Sequence, residues 1–343
     1  MNAQALVQTQ QQGPVLVVSI NNPPVNALGQ GVRAGLLAAV EQLEQDAALK
    51  AMLIVGQGKA FIAGADIREF GKPPMAPALP DVLNRMETGS KLVVAAIHGP
   101  ALGGGLEVAM ATHFRVALAG AKLGLPEVNL GLLPGAGGTQ RSPRLMGVKA
   151  ATELMLSGQH LSAKAALAAG LVDKLAEGDD PLAAGLAYVN ELLARGLPPR
   201  RTRDLAIADK AAALAELDAI ALESVKKTRG LFSPAKIIEC VRAAVELPFE
   251  QGLKRERELF LECLNSPQRA GLVHAFFAER ETAKIPEAKA AAPRALASIA
   301  VIGGGTMGAG ITVSALDAGL SVVMVERDAE SIARGQKNVE KVY

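Results

Sequence analysis

Residues 1–180 alternate short, β-branched-rich apolar runs with stretches of helical period, joined by glycine-rich turns. That alternation restricts the chain to few folds, because a strand–helix–strand repeat is stable only when helices cover a largely parallel sheet. VLVVSI (15–20) and AMLIVG (51–56) are bounded by turn residues and read as strands. Between them, residues 32–49 repeat apolar positions at helical spacing. KLVVAAI (91–97) is a further strand, ended by His98, Gly99 and Pro100. A helix is expected to open within GGGLEVAMA (103–111), followed by a strand at FRVALA (114–119).

The pattern changes twice further on. From 181 to 285 strand-like runs vanish, and residues 205–222 and 237–264 read as amphipathic helices. PEAKAAAPRA (286–295) has the composition of a linker. After it come an apolar run (298–302), a glycine loop (303–308), a helix-like stretch to 318, a second apolar run (321–325) and Glu326. Strand, GxGxxG, helix, strand and an acidic residue follow each other in the order of a dinucleotide-binding unit. Gly303, Gly305 and Gly308 would let a pyrophosphate approach the helix N-terminus, and Glu326 would accept from a ribose hydroxyl.

Composition excludes several classes. The formal charge of +2 argues against a nucleic-acid surface, and the absence of Trp leaves little on which bases could stack. Cys240 and Cys263 are expected as reduced core thiols, in keeping with an intracellular protein. No basic segment followed by an apolar stretch marks the N-terminus as a secretory signal. Residues 295–316 carry no charge and are long enough to span a bilayer, but their five glycines suit a nucleotide loop better. His98, His113, His160 and His274 lack metal-ligand spacing, so no metal is expected.

Three segments carry the candidate chemistry: KAFIAGADI (59–67), HGPALGGGLEV (98–108) and LPEVNLGLLPGAGGTQR (125–141). Small residues let backbone N–H groups approach a substrate oxygen. The glycine run opens a helix whose first N–H groups lack partners and carry partial positive charge, which would serve an enolate oxygen. Glu107 lies in that first turn, and Glu127 follows Pro126 in an apolar loop where its solvation is poor. Lys59 and Arg68 flank the AGAD turn and could meet phosphates; their bland reading is solvated surface charge.

Taken together, NPPVNAL (22–28), AGADI (63–67), ALGGGLE (101–107) and PGAGGTQR (134–141) resemble the crotonase (enoyl-CoA hydratase/isomerase) superfamily. The resemblance implies an α/β fold with a crotonase-type ββα spiral core, then a helical segment and the start of a Rossmann domain. The expected boundaries are 1–185, 186–285, a linker at 286–295, and 296–343. The resemblance assigns an oxyanion hole to the N–H groups of Ala65 and Gly104, an acid/base pair to Glu107 and Glu127, and coenzyme A contacts to Ala63, Lys59 and Arg68. Both glutamates are kept, which favours hydration of 2-trans-enoyl-CoA to 3-hydroxyacyl-CoA without a cofactor. The alternatives are a Δ3,Δ2-enoyl-CoA isomerase and, in another class, a non-catalytic acyl-CoA or RNA-binding module. Ser142, where the family commonly has an apolar residue, is a departure bearing on local packing.

SIAVIGGGTMGAGI (298–311) is similar to the start of 3-hydroxyacyl-CoA dehydrogenases, and PQRAGLVHAFFAER (267–280) to the linker helix of bifunctional β-oxidation proteins. This resemblance implies NAD as cofactor of a dehydrogenase part whose catalytic residues lie beyond residue 343. Dehydrogenase activity is therefore not expected of this chain, and 296–343 are expected to be loosely held. The partners implied are enoyl-CoA and 3-hydroxyacyl-CoA substrates, with self-association or a thiolase as protein partners and no membrane span. High Ala and Gly content points to a bacterial cytoplasm, with the peroxisome as alternative.

Overall fold

A computed structural model describes all residues except 1–4, 67, 68, 70, 71, 229, 283, 286, 288–290, 293 and 343. The chain forms two compact units, residues 1–279 and 280–343.

The strands of the first unit are β1 (Val7–Gln12), β2 (Val15–Ile20), β3 (Ala51–Gly56), β4 (Leu92–Ile97), β5 (Pro100–Leu102), β6 (Phe114–Leu118), β7 (Lys122–Gly124), β8 (His160–Ser162) and β9 (Lys174–Ala176). Six of them make one sheet in the order β1-β2-β3-β4-β6-β9, and β5-β7-β8 make a second. Only β1 runs antiparallel in the larger sheet. Side chains alternate across a strand, so β2, β3 and β4 feed two cores. Leu16, Val18, Met52, Ile54, Val93 and Ala95 face one, and Val15, Val17, Leu53 and Val94 face the other. Burial on both faces explains why these strands read as continuous apolar runs.

The helices are α1 (Gln30–Gln45), α2 (Leu79–Thr88), α3 (Gly104–Ala111), α4 (Gly138–Met146), α5 (Val148–Ser157), α6 (Ala163–Ala168), α7 (Pro181–Ala194), α8 (Lys210–Thr228), α9 (Phe232–Glu246), α10 (Phe249–Leu264) and α11 (Pro267–Thr282). Tyr188, Val189 and Leu192 of α7 close the smaller core, while Leu217, Ile237, Val241 and Leu259 of α8–α10 join the larger one. The helical segment after residue 185 therefore shares a core with the residues before it. Cys240 and Cys263 are buried free thiols in that core.

Several elements differ from the sequence reading. Residues 237–264 are not one helix: α9 ends before Leu247, and Pro248 begins the next, because proline cannot donate to the preceding turn. The expected helix at 205–222 lies later, at Lys210–Thr228. VQTQQQ forms β1 although only Val7 in it is apolar, since its register is set by pairing with β2 at the sheet edge. Strands β5, β7, β8 and β9 are too short to leave a period in the sequence.

The second unit holds β10 (Ser298–Ile302), α12 (Thr306–Asp317), β11 (Ser321–Val325) and α13 (Ala329–Val342), with β10 parallel to β11. Two strands cannot bury both faces of a sheet, and Ile302 and Met307 stay 86% and 77% exposed. The expected linker, 286–295, lies largely outside the described residues. Among the described residues, no helix is long and apolar enough to cross a membrane, and no group of three metal-binding side chains gathers.

Candidate active site

The AGAD turn is held from behind by two buried asparagines. Asn26 donates through Nδ2 to the carbonyls of Gln57 (2.9 Å) and Ala60 (2.7 Å) and accepts from the N–H of Asn22 (2.9 Å). Asn22 donates to the Ala27 carbonyl at 2.7 Å. These bonds fix the chain up to Leu28, whose N–H donates to the Gly64 carbonyl (2.9 Å). In a trans peptide the N–H points opposite the C=O, so the Ala65 N–H is turned away from Leu28. Among the described residues it has no acceptor, and Ala65 itself is exposed.

The glycine triplet opens α3 as the sequence suggested. Gly103 has φ 53°, and a Cβ there would lie 2.9 Å from Oε1 of Glu127. Gly105 sits against β-bridge backbone: a Cβ would fall 2.0 Å from the Ile62 carbonyl oxygen. A Cβ on Gly104 would come within 4.0 Å of the Ala65 nitrogen, beside Leu28 and Leu79. The N–H of Gly104, at the first position of α3, has no protein acceptor among the described residues. Two unpartnered N–H groups thus sit side by side.

Glu107 is buried in the first turn of α3. Its Oε1 accepts from the N–H of Ala136 (2.7 Å) and of Gly138 (2.8 Å). Burial pushes this carboxyl above the usual range, while those two N–H groups and the Arg141 charge pull it back. Glu127 lies on a 3-10 turn, Pro126–Leu130, instead of the expected loop. Its Oε2 is buried without a hydrogen-bond partner. Burial first, then the charges of Glu107 and Glu256, drive it well above the ordinary 4.5. The environments differ in kind: Oε1 of Glu107 accepts from two amides at the start of α4, whereas the Glu127 carboxyl has only its own backbone N–H and an Oε2 with no partner.

Sequence reasoning missed a third buried carboxyl, Glu256 on α10. Its Oε1 accepts from the Gly137 N–H (2.6 Å), and its Oε2 from the Thr139 N–H (3.1 Å) and hydroxyl (2.5 Å). A signal did exist. Phe249, Gly252, Glu256, Leu259 and Cys263 are the buried residues of α10, so this glutamate interrupts an apolar stripe.

Arg141 pairs with Glu87 through Nη2 (2.8 Å) and Nε (3.1 Å) and donates through Nη1 to the Ala136 carbonyl (3.0 Å). Ser142, the departure from the family pattern, donates its hydroxyl to the Gly138 carbonyl (2.7 Å) inside α4. Of the remaining candidates, Ala63 is half-buried and donates to the Val25 carbonyl (3.1 Å), while Lys59 is exposed on the turn before it. Arg68 lies outside the described residues.

In the second unit, Gly308 packs so closely that a Cβ would meet the Gly303 carbonyl oxygen at 1.7 Å. Gly303 (φ 97°) and Gly305 face open space. Glu326 accepts from the Gly304 N–H (2.7 Å), at the mouth of the glycine loop. This cradle is of the kind a dinucleotide pyrophosphate occupies.

Residues 10–224 match the family model described as enoyl-CoA hydratase/isomerase. Residues 298–343 match that of the 3-hydroxyacyl-CoA dehydrogenase NAD binding domain. A Danio rerio protein named peroxisomal bifunctional enzyme is 41% identical over 330 residues, covering 95% of this chain and 46% of the relative. The Homo sapiens protein of the same name is 38% identical over 344 residues, with 97% and 47% covered. The chain spans less than half the length of these curated relatives. A solved enoyl-CoA hydratase/isomerase from Pseudoalteromonas atlantica is similar with a TM-score of 0.59 and 25% identity, over 80% of this chain and 97% of that one.

Proposed function

The chain belongs to the enoyl-CoA hydratase/isomerase family, and on that premise we propose that its first unit adds water to 2-trans-enoyl-CoA to give 3-hydroxyacyl-CoA, the hydration step of fatty-acid β-oxidation. One observation carries the reading: the buried Glu107 and the half-buried Glu127, whose Oε2 is enclosed without a partner, lie in unlike environments beside two unpartnered N–H groups.

The thioester carbonyl is received by the N–H groups of Ala65 and Gly104, which withdraw electrons from the C2–C3 double bond. Such a donor is worth roughly 10²–10³ in rate. Glu107, fixed as an acceptor by two amides, is the ionised member and takes a proton from water as the hydroxyl adds to C3. Glu127, whose charge is disfavoured by burial and by the Glu107 charge, is the protonated member and delivers its proton to C2. The two carboxyls then re-exchange a proton for the next turnover. Their titration belongs to the pair.

The test is the loss of enoyl-thioester absorbance when crotonyl-CoA is added to the protein. An unchanged absorbance above the uncatalysed rate sinks the reading. Isomerase chemistry needs only one proton shuttle, so a Glu107→Gln variant that still converts a 3-enoyl-CoA would reveal it as a second activity.

The second unit supports a further reading. In a longer protein containing this unit, Gly303, Gly305 and Gly308 would hold the pyrophosphate of NAD, and Glu326 its ribose. Bound NAD would supply the hydride acceptor that turns 3-hydroxyacyl-CoA into 3-ketoacyl-CoA. A thiolase, which consumes that product, or a second copy of this chain are the protein partners in keeping with this chemistry. For the compartment, the relatives' names support the peroxisome, while the Ala- and Gly-rich composition supports a bacterial cytoplasm.

A further inference from the structure

Four consecutive amides at the start of α4 are shared between two carboxyl groups in alternation. The N–H groups of Ala136 and Gly138 go to Glu107, and those of Gly137 and Thr139 go to Glu256. A helix N-terminus has donors without intrahelical acceptors, and when it is buried they must find partners elsewhere. The N-cap here, Gly137 (φ 94°), has no side chain to offer. Glu256 fills the place of a capping side chain from 119 residues away.

We propose that Glu256 is a positioning residue of the hydration site: by holding Gly137 and Thr139, its carboxyl group keeps the interleaved amides of Ala136 and Gly138 on Glu107. The kinetic consequence rests on the hydration reading above; the structural one does not.

The clamp is built into two helices. Thr139 Oγ1, which donates to Glu256, also accepts from Gln140 Nε2 (2.9 Å), and that amide reaches the Cys240 carbonyl on α9 (3.0 Å). Helix α10 comes this near because residue 252 is glycine: a Cβ there would lie 2.1 Å from Oε1 of Gln140. A peptide segment with its N–H groups pointing alternately to two sides cannot turn on one side alone. Releasing Gly137 and Thr139 therefore releases Glu107 as well.

The charges around Glu256 give the proposal a signature that packing alone would not. Glu107 of α3, Arg141 of α4 and Cys240 of α9 interact with it, and Glu127 of the 3-10 turn responds to its charge. Burial and the Glu107 charge push the Glu256 carboxyl up to about 8, against the pull of the Thr139 hydroxyl, the Gly137 N–H and Arg141. Its charge in turn raises Glu127. That charge is present above about 8; in that range its removal lets Glu127 lose its proton at lower pH, and the alkaline limb of the rate profile moves in the acid direction.

The experiment uses the full chain carrying Glu256→Gln, in which an amide NH₂ must face one of the N–H donors. Two readouts are taken: residue-resolved amide exchange over 134–141, and the pH profile of kcat and KM for crotonyl-CoA. Expected are faster exchange at Ala136 and Gly138 as well as at Gly137 and Thr139, and a kcat lower by up to about 10²-fold. KM should change little, and the alkaline limb should move to lower pH. Faster exchange confined to Gly137 and Thr139, or a lower kcat with an unmoved profile, overturns the proposal. If Glu256→Gln does not fold, Thr139→Val removes the hydroxyl that donates to Glu256 and accepts from Gln140 Nε2, leaves the Glu256 carboxyl in place, and should speed exchange at the same four amides, less strongly; no change at Ala136 and Gly138 overturns the proposal. A wild-type chain inactive on crotonyl-CoA defeats the hydration reading, and the exchange result still decides the role of Glu256.

Discussion

Two glutamates of identical chemistry differ here because of what surrounds each oxygen. Oε1 of Glu107 accepts from two amides and Oε2 of Glu127 has no partner, so Glu107→Gln and Glu127→Gln are each expected to lower kcat by about 10²–10⁴ in the crotonyl-CoA assay. The protein should stay folded in both cases, since Gln is nearly isosteric with Glu. Stability gives an independent check on Glu127. Its carboxyl is raised well above 4.5 by burial, so the folded state holds its proton more tightly than the unfolded one. The stability this contributes is complete below 4.5 and is lost as pH rises through the folded value. Thermal unfolding of wild type should therefore show a falling midpoint as pH rises above 4.5, and Glu127→Gln should show a shallower fall. Both glutamates were visible in the sequence because each stands within a few residues of glycines whose spacing identifies the site.

At the scale of elements, α4 is the hinge of the site, tied to α2 by a buried ion pair. Glu87 and Arg141 are 0% and 1% exposed, and Glu87 also accepts from the Arg203 N–H (2.9 Å). Removing one partner leaves the other charge buried and unpaired, which costs about 3–5 kcal/mol. Glu87→Gln is expected to lose that much in urea unfolding and to weaken activity, because Arg141 also holds the Ala136 carbonyl. A loss below about 1 kcal/mol would place the pair among exposed ones. Strands β2, β3, β4 and β6 were legible because each is a largely apolar run buried in the sheet, whereas the edge strand β1 and the three-residue strands were not. The division of 237–264 into α9 and α10 was marked by Pro248, which the helical period on both sides overrode.

The whole molecule is two units with unequal cores. The first encloses two hydrophobic clusters, whereas the second leaves Ile302 and Val323 of its two-stranded sheet and Met307 of α12 exposed. Calorimetry of this chain should resolve two transitions, the smaller unit melting first; one cooperative transition would contradict this reading.

The sequence by itself determined the strands β2, β3, β4 and β6 with the helices α1 and α3 among them, the glycine-rich turns, and, through its family resemblance, the two glutamates beside them. These are local properties: period, turn chemistry and spacing within about a dozen residues. Tertiary structure alone decided that Glu256, on the apolar stripe of α10, meets Gly137 and Thr139. It also decided that Glu107 accepts from the amides of α4 while Oε2 of Glu127 has no partner. No short-range pattern encodes a contact across more than a hundred residues, since it exists only once α10 has packed on α4 and water has been expelled between them.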